Sequence, residues 1–443
     1  MYIDIKCIKN NSYSKTCFIS EYIFNSLKLK EGIKYNLHVG QLSKKVYVRP
    51  YRINKSKSMY LSEEIIKALY LLYDITLNIF KKDKDIYLGP LIGIIENSRY
   101  IDALKKGTPP ISATMYRKEN RKTNCLFYFL NPRDINYQDE KYKGFYFDNK
   151  ENKWKQKNFP VPDVIYDRCS VINIVYKLTN KYKDIQLLNS NRRIDKWNLF
   201  KRLSKYKEIN KYLPKTIVYE SFEDIIKMLN KYEIIFLKSF NGCSGIEVMG
   251  IEKNENRYIL NYFENGLKIK EIYSFDKLKR IVEKFLYKKN FIIQQGISLY
   301  KYGDHNMDLR VLIQKDRYDE WTATGYRARI ANSSFMITNS CIGGEVKRYK
   351  DVYEAITNSN NKNYLPSEKK IGDTTIKIAK YIEKEYGRIG ELGMDMAIDK
   401  DGKIYLLEAN KTPNKRMIDK NDFNKFLSIL EYGKYLFKNN IGV

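Results

Sequence analysis

The chain has 443 residues, more than one compact core holds. Of these residues 43% are hydrophobic and 14% aromatic, a composition that excludes a disordered protein. We therefore expect two or three packed domains. Lysine and arginine outnumber aspartate and glutamate by 81 to 52, a net charge of +29, and the lysines occur along the whole chain, which favours a diffuse solvated surface over a dedicated nucleic-acid stripe.

Residues 1–85 predict a small β-rich domain. Two segments that alternate apolar and polar residues, Tyr2–Ile8 and Lys45–Val48, are typical of half-buried strands, and Ser62–Leu72 contains a helical pattern. This part of the chain carries no motif that points to chemistry. No internal repeat is apparent in the sequence.

Residues 86–185 predict an open α/β domain. Its predicted elements are a buried strand at Ile86–Ile95, a helix near Ser98–Lys106, and strands at Cys125–Leu130 and Asp163–Asp167. Between the last two strands, the polar and aromatic stretch Asn136–Pro162 predicts a hairpin or a surface loop.

Residues 186–443 predict a third domain with two subdomains that divide near residue 290. Its first part mixes helices and strands, at Asp195–Leu203, Phe222–Tyr232, Ile234–Lys238, Phe275–Tyr287 and Phe291–Gln295. The last third is mostly strand until a helix at Asp373–Tyr386. The chain as a whole is predicted to be of the α/β (α+β) class.

The strongest chemical signal is a hairpin pattern between Asp395 and Asn410. One strand ends at Asp395, Asp401-Gly402 supplies the turn, and an apolar strand leads back to Glu408 and Asn410. Strand alternation puts Glu408 and Asn410 on one face, and the hairpin brings Asp395 opposite them. A solvated surface hairpin does not explain why an apolar strand ends in Glu408 and Asn410. A site with three oxygen donors explains it, because such donors suit a Mg²⁺ ion that bridges phosphate oxygens. We predict Asp395, Glu408 and Asn410 as metal ligands.

A second signal is the glycine loop after Lys238. Lys238 ends a buried strand and is followed by Gly242, Ser244 and Gly245. Glycines let backbone N–H groups approach phosphate oxygens, and the ammonium neutralises their charge. Ordinary hairpins also carry two glycines, and the Gly-Lys-Ser/Thr of a Walker A motif is missing, so the loop alone is a weak signal.

A third cluster lies on the strands predicted around residues 307–329. Arg327 and Arg329 share a face by two-residue alternation, and Arg310 follows closely after Asp308 on the preceding strand. A solvated sheet face is one interpretation, and bidentate binding of carboxylates or phosphates is the other. We predict that the three arginines contact the γ-phosphate, an acyl phosphate or the acid substrate, and that Asp308 belongs to the nucleotide site.

These motifs resemble those of the ATP-grasp superfamily. The spacing Asp395-x12-Glu408-x-Asn410-x2-Pro413 is similar to its metal-binding signature. Residues 189–415 resemble RimK-like ligases, and residues 86–415 are more similar to the YheC/YheD family of endospore coat-associated ATP-grasp proteins. The second likeness is carried by Gly89–Ile94, Asp163–Arg168, Asp195–Trp197, Leu237–Gly245, Ile293–Ile297 and Thr338–Gly344.

The resemblance implies an ATP-grasp fold after an open α/β domain, with ATP and two Mg²⁺ ions bound. Lys196 would join Lys238 on the nucleotide, the glycine loop would close over the triphosphate, and Gln295 and Ile297 would line the adenine pocket. Two departures from the family pattern affect this site. The loop has few glycines and no basic residue directly after Gly245, and RimK-like enzymes usually carry an acid at the position of Gln295.

The implied function is a carboxylate–amine ligase that forms an amide or peptide bond through an acyl phosphate. Its substrates would be ATP, a carboxylate and an amine, among them an amino acid or an acidic peptide. Two alternatives stay open: a non-catalytic nucleotide-binding protein with a structural role, for example in a spore coat, and a protein that binds polyanions. Nucleic acid and membrane are not the partners that we expect.

Thiol and histidine usage argues against a zinc site and a disulfide framework. The six cysteines include no Cys-x-x-Cys pair, and the two histidines, His38 and His305, lie far apart. The first residues lack the apolar core of a signal peptide, and no uncharged apolar run is long enough to span a bilayer. We expect a cytoplasmic protein, spore-associated by resemblance.

Overall fold

The computed structural model describes residues 1–9, 15–52, 56–242, 247–255, 257–264, 266–287, 290–331, 344–358, 365–413 and 424–443. Within these ranges the strands form a closed barrel and three further sheets, with helices packed against them. No helix in the described ranges is both long enough and apolar enough to cross a membrane.

The N-terminal segment forms a closed β-barrel. Its elements are β1 (Tyr2–Ile8), β2 (Thr16–Ser20), α1 (Glu21–Ser26), β3 (Lys34–Val39), β4 (Leu42–Tyr51), β5 (Ser58–Ser62), α2 (Glu63–Ala68), β6 (Ile75–Lys82) and β7 (Asp85–Gly89). The strand order is β1-β5-β2-β4-β3-β7-β6, and β6 pairs with β1 to close the barrel. Alternate residues such as Ile3 and Ile5 are fully buried inside it. The predicted β-rich character of this segment is confirmed.

The barrel contains an internal repeat that the sequence prediction missed. The succession β2-α1-β3 recurs as β5-α2-β6 at an offset of 42 residues, from Ser20 to Ser62. Strands β2 and β5 pair antiparallel about the centre of this pseudo-twofold symmetry. Lys28 and Tyr70, which occupy matching positions, both have left-handed backbone conformations with φ of 49° and 47°. The repeat is hard to recognise in the sequence because few residues are identical between the two copies. The identical pairs are Ser20/Ser62, Glu21/Glu63, Ile23/Ile65, Leu27/Leu69, Leu29/Leu71, Ile33/Ile75 and Asn36/Asn78.

The second sheet is open and mostly parallel at its centre. Its elements are β8 (Leu91–Ile95), α3 (Ser98–Lys105), α4 (Ile111–Thr123), β9 (Leu126–Leu130), β10 (Lys141–Asp148), β11 (Lys153–Pro160), β12 (Val164–Asp167), α5 (Ile172–Lys181) and β13 (Gln186–Leu187). The order is β11-β10-β9-β8-β12-β13, with β8 parallel to both β9 and β12. The β10–β11 pair confirms the predicted hairpin within residues 136–162.

The prediction of one strand over Ile86–Ile95 is wrong. The chain forms β7 in the barrel up to Gly89 and β8 in the second sheet from Leu91. Pro90 has no N–H to donate to a ladder, and Gly89 has a φ of 155°, a conformation that residues with a Cβ rarely adopt. The chain therefore passes from the barrel to the second sheet at Gly89-Pro90.

The third sheet is antiparallel and has helices on one face. Its elements are β14 (Thr216–Val218), α8 (Phe222–Lys231), β15 (Ile234–Ser239), β16 (Val248–Asn254), β17 (Arg257–Phe263), β18 (Leu267–Ile272), α9 (Phe275–Leu286) and β19 (Phe291–Gln295), in the order β14-β19-β15-β16-β17-β18. Two helices precede it, α6 (Lys196–Leu203) and α7 (Lys207–Asn210), and buried residues of both belong to the core of the fourth sheet. Ile235, Leu237 and Ile293 pack against α8 and α9. Lys238 alternates with Leu237 along β15 and thus lies on the opposite face.

The fourth sheet carries the predicted metal hairpin. Its elements, with the helices that accompany them, are β20 (Lys301–Tyr302), β21 (His305–Lys315), β22 (Trp321–Ile330), β23 (Glu345–Arg348), α10 (Tyr349–Thr357), α11 (Glu368–Tyr386), β24 (Glu391–Ile398), β25 (Ile404–Asn410) and α12 (Asn424–Ile441). The order is β23-β22-β21-β24-β25, with β20 paired to β21. Leu309, Val311 and Met394 form a core with residues of α11 on one face.

The C-terminal helix α12 returns to the second sheet. Phe426 and Leu430 of α12 pack with Ile92, Phe127 and Val164 on one face of that sheet, and α12 also contacts β21 and β22. The other face shares a core with the barrel. Because α12 bridges two sheets, the division of the chain into residues 1–85, 86–185 and 186–443, with a split near 290, stays a prediction.

Candidate active site

A row of charged residues crosses the fourth sheet. Arg348, Arg327, Arg310, Asp395 and Glu408 lie directly opposite one another on successive strands from β23 to β25. Residues directly opposed in antiparallel strands point to the same face. The alternate residues of these strands form the core with α11, so the charged row occupies the face away from that helix.

Asp395 lies between two guanidinium groups. Arg310 Nη2 and Arg329 Nη1 donate to Asp395 Oδ2 at 3.1 and 3.2 Å. Arg329 also binds both oxygens of Asp308, with two bonds of 2.6 Å. Burial raises the pKa of Asp395, but the two guanidinium groups outweigh burial and hold that pKa below its ordinary value. Asp395 is therefore ionised at neutral pH, as a metal ligand has to be.

Glu408 and Asn410 complete the predicted metal set on the neighbouring strand. Asp395 lies opposite Glu408, Gly393 lies opposite Asn410, and the register shifts by a bulge directly after Asp395. The Glu408 side chain is 32% exposed, so an ion can reach its oxygens. In the described ranges no group of three histidine, cysteine, aspartate or glutamate side chains could hold a metal. The predicted set differs in kind: two carboxylates and one amide, oxygen donors that Mg²⁺ accepts.

Lys196 connects the third sheet to the metal hairpin. Asp195 caps α6 by accepting a bond from Asn198 N at 2.8 Å, which places Lys196 in the first turn of the helix. Lys196 Nζ lies 3.5 Å from Glu408 Oε1 and donates to the carbonyl of Gly242. The residues predicted to bind phosphate and those predicted to bind metal therefore meet at Lys196.

Lys238 lies on the face of the third sheet that α8 and α9 leave uncovered. Its Nζ donates to Gln294 Oε1 at 2.6 Å, and Gln294 in turn donates to Thr216 at 3.0 Å. Burial lowers the pKa of Lys238 to about 8, although the carboxylates of Glu408, Asp395 and Asp308 oppose this effect. Those carboxylates belong to the fourth sheet, so the charges of that sheet act on the ammonium group of Lys238.

The glycine loop is described only in part. Gly242 N donates to Ser239 O at 3.3 Å, so this N–H is used within a turn. A Cβ at Gly242 would lie 2.9 Å from Glu247 Oε2 and 3.0 Å from Glu247 Cβ, so a side chain here would require Glu247 to shift. Ser244 and Gly245 lie outside the described residues, as do Thr338, Asn339 and Gly343. The contact of this loop with phosphate stays a prediction.

The predicted adenine residues lie at the end of β19. Gln295 Oε1 accepts a bond from Lys215 N at 3.2 Å, and Ile297 follows just beyond the strand, partly exposed. Between them, a Cβ on Gly296 would lie 2.8 Å from the carbonyl of Ile234. Two backbones therefore approach closely at this hinge, and the adenine contact itself stays a prediction.

The structure adds residues that the sequence analysis did not single out. Gln294 contacts Lys238, because Lys238 pairs with Ile292 and so lies diagonally across from Gln294. Gly393 is close to Arg310 as well, since a Cβ there would lie 3.1 Å from Arg310 Nη1. The pairing of these strands was not predictable from periodicity, so no sequence signal distinguished these residues.

Arg327 is buried beside Arg310 in the charged row. It is 8% exposed, and its Nη1 donates to the carbonyl of Tyr326 at 3.0 Å. The structure thus brings together Asp308, Arg310, Arg329 and Asp395 through direct contacts and places Arg327 next to them. The catalytic roles of the arginines stay predictions.

A cavity of about 340 Å³ borders the end of β25 at Asn410. Its lining includes groups of opposite charge, among them Asp167, Arg193 and Lys411. Burial lowers the pKa of Lys411 to about 8, with Asp167 acting in the opposite direction. The cavity is polar and has room for a molecule of amino-acid size.

A family model described as YheC/D-like ATP-grasp matches residues 184–436, which is more than half of the chain. The chain belongs to this family. The predicted family and the predicted ATP-grasp fold are thereby confirmed.

This YheC/D-like chain is similar to two curated proteins of Bacillus subtilis (strain 168). Endospore coat-associated protein YheD is 24% identical over 438 residues, covering 93% of this chain and 94% of that protein. Endospore coat-associated protein YheC is 23% identical over 300 residues, covering 66% of this chain and 82% of that protein. At this coverage the likeness to YheD extends into the N-terminal barrel.

Among solved structures, D-alanyl-alanine synthetase A from Vibrio cholerae matches with a TM-score of 0.44 at 12% identity, covering 80% of this chain and 99% of that chain. A likeness at this level carries no argument about the activity of the YheC/D-like chain.

Proposed function

We propose that this YheC/D-like protein is an ATP- and Mg²⁺-dependent carboxylate–amine ligase. The observation that carries the proposal is the position of Lys196 Nζ, 3.5 Å from Glu408 Oε1, where the helix of the predicted phosphate site meets the predicted metal strand. Lys238 of the third sheet is under the electrostatic influence of the same carboxylate. Two lysines beside a carboxylate that can bind metal suit the phosphates of a nucleoside triphosphate with its Mg²⁺.

The proposed reaction has two steps. An oxygen of the substrate carboxylate attacks the γ-phosphorus of ATP, the bond from γ-phosphorus to the β–γ bridging oxygen breaks, and ADP leaves with that oxygen. The amine then attacks the carbonyl carbon of the acyl phosphate, inorganic phosphate leaves, and the amine loses a proton. The products are an amide or peptide bond, ADP and phosphate.

Asp395, Glu408 and Asn410 would hold the Mg²⁺ ions, two by family resemblance. Their donor set fits a hard cation, since the Asp395 pKa is held below its ordinary value and Glu408 is accessible. Bound Mg²⁺ would neutralise charge on the phosphate groups.

The cationic side chains would stabilise the charges that develop during transfer. Lys196 and Lys238 would contact the nucleotide phosphates, and Arg310 lies in the charged row next to Asp395. A guanidinium fixed by a carboxylate is already oriented, so it loses little conformational freedom when an oxyanion forms. Arg327 and Arg329 extend the same positive surface.

The amine substrate is proposed to be an amino acid or the end of a peptide. The cavity beside Asn410 offers Asp167 for an ammonium and Arg193 for a carboxylate, the two groups of an amino acid. Because YheD and YheC carry the name endospore coat-associated, we also propose the same cellular setting for this chain.

Incubation of the purified protein with Mg²⁺, ATP and a panel of paired acids and amines tests the proposal. We expect ADP release to need both an acid and an amine, with the amide detected by mass spectrometry. Acid alone, with ATP labelled by ¹⁸O in the β–γ bridge, should scramble the label, because the acyl phosphate forms reversibly while ADP remains bound. Amines that lack a carboxylate serve as controls for the amino-acid assignment.

ATP binding without ADP release from any pair would favour the alternative of a non-catalytic nucleotide-binding protein with a structural role. Retention on nucleic acid or another polyanion that falls steeply with salt, without ATP binding, would favour the polyanion-binding alternative.

A further inference from the structure

Arg168 links three segments that are distant in sequence. It follows β12, and its backbone N–H donates to the carbonyl of Ile95 at the end of β8. Its guanidinium donates to Glu96 Oε1 at 2.6 Å, to the hydroxyl of Tyr166 at 2.8 Å and to the carbonyl of Pro413 at 3.2 Å. The side chain is only 12% exposed, so these contacts form away from bulk water.

Glu391, the first residue of β24, receives this link on the fourth sheet. Its side chain is fully buried, and Oε2 lies 3.7 Å from Arg168 Nη1 and accepts a bond from Tyr166. Oε1 accepts a bond from Gln314 at 2.6 Å. Glu391 and Asp395 are an even number of positions apart on β24, so their side chains point to the same face.

Pro413 receives the link just beyond β25, the other strand of the hairpin. It lies shortly after Asn410, and a Cβ at Gly393 would lie only 2.6 Å from the ring of Pro413. The backbone between these points is held as well, since Asn189 donates to Lys411 O at 2.7 Å and accepts from Glu391 N at 3.0 Å. Both strands of the metal hairpin are thus fixed from the second sheet.

We propose that Arg168 is a positioning residue for the metal site. It holds the start of β24 and the segment after β25 together, so that Asp395, Glu408 and Asn410 stay at the separation that a cation needs. A planar guanidinium serves several acceptors in fixed directions, and a lysine at this position offers one point charge. The effect on turnover rests on the proposed ligase function, whereas the effect on metal binding does not.

Metal binding by Arg168→Lys in the full-length protein tests this assignment. Mn²⁺ is the probe, because its paramagnetic resonance signal reports the bound fraction in the presence of ATP. We expect the affinity for Mn²⁺ to fall by about tenfold, as for other residues that support metal ligands. The affinity for ATP measured in EDTA should not change, because no contact of Lys238 or Gln294 involves Arg168.

Arg202→Lys is the matched control. Arg202 also pairs with a glutamate, Glu385, at 3.3 Å, and it lies near the end of α6 that is opposite to Lys196. It should leave both affinities unchanged. Glu391→Gln keeps the shape of the network and removes its charge; combined with Arg168→Lys, it should weaken Mn²⁺ binding less than the sum of the two single changes.

Unchanged Mn²⁺ affinity in Arg168→Lys, with or without a lower melting temperature, would overturn the assignment, as would an equal loss of metal and metal-free ATP binding. Failure of the proposed function has another signature: the unmodified protein would release no ADP with any acid–amine pair, while the difference in Mn²⁺ affinity would persist.

Discussion

At the scale of single residues, the site depends on how charges are paired. Asp395 keeps its charge because Arg310 and Arg329 both bind it, whereas burial lowers the pKa of Lys238 to about 8. The pKa of Lys238 is about 8 in the free protein, and a bound anion raises the pKa of a neighbouring lysine, so that the lysine takes up a proton from solvent. Nucleotide binding should therefore be linked to pH through Lys238.

We expect ATP affinity to fall above pH 8, approaching about tenfold per pH unit, with uptake of a proton on binding. The free protein has a Lys238 pKa of about 8, and we expect the negative triphosphate to raise that pKa in the complex. The stability of the ligand-free fold depends on pH in the opposite direction. Between pH 8 and the ordinary lysine pKa the native state binds fewer protons than the unfolded state, so the free energy of unfolding rises with pH in this range. Calorimetry in buffers of different ionisation enthalpy measures the proton uptake.

Two variants separate the possible sources of this proton. Lys238→Met should abolish the uptake and weaken ATP binding at neutral pH. Lys411→Met is the control, because burial also lowers the pKa of Lys411 to about 8. Uptake that disappears in Lys411→Met and persists in Lys238→Met would show that Lys238 is not the group involved.

Asp395→Asn should remove activity with a modest loss of stability. We expect ADP formation to fall by about 100-fold or more, because the metal loses a charged ligand. The free energy of unfolding should fall by about 1–3 kcal/mol, since Arg310 loses its carboxylate while Arg329 keeps Asp308. ADP release and urea unfolding measure these effects.

The control for Asp395→Asn is Asp401→Asn. Asp401 is an exposed acid in the turn of the same hairpin. If both variants lost activity equally, a general effect of the hairpin's charge would replace a specific metal role for Asp395.

At the scale of elements, the two helices of the barrel repeat are capped differently. Ser62 accepts a bond from Ile65 N at 3.3 Å at the start of α2. Its counterpart Ser20 makes no capping bond to α1, and within the described part of the chain its buried hydroxyl has no hydrogen-bond partner. The pseudo-twofold symmetry thus offers the same substitution in two different hydrogen-bonding states.

Ser62→Ala should lower the free energy of unfolding by about 1 kcal/mol, the usual contribution of an N-cap. Ser20→Ala should cost less or even stabilise, because it removes a buried polar group that gains no bond in return. Thermal and urea unfolding of the two variants give the comparison. Equal losses would contradict the difference in capping.

At the scale of the whole molecule, α12 fixes the second sheet against the fourth. Phe426 near its start is fully buried, with its ring 4.8 Å from that of Tyr116 on α4. The helix that covers the second sheet therefore starts beside β21 and β22, the strands that carry the arginines. Loss of α12 packing should disturb the site as well as the core.

Phe426→Ala should lower the free energy of unfolding by about 3–5 kcal/mol, as expected for deletion of a buried phenylalanine. It should also reduce ATP-dependent activity, because α12 supports two sheets. Melting temperature and ADP release at low temperature measure the two effects. Tyr318→Ala is the control, since Tyr318 is 67% exposed. Loss of stability at Phe426 with full activity would show that the site does not depend on α12.

The sequence by itself determined the features that depend on neighbouring residues. The hairpin from Asp395 to Asn410 was predictable because alternation along a strand and an Asp-Gly turn are local properties. The metal and phosphate chemistry that the residue types indicate stays a prediction. The capped start of α6 at Asp195 was predictable for the same reason.

Only the tertiary structure decided which distant residues meet. Strand register brought Gln294 to Lys238, and helix packing brought Lys196 to Glu408. The packing of the second sheet against the fourth gave Arg168 its contacts. Such contacts depend on pairing and packing between segments far apart in the chain, and these are settled by the balance of burial and hydrogen bonding over the whole fold rather than by local pattern.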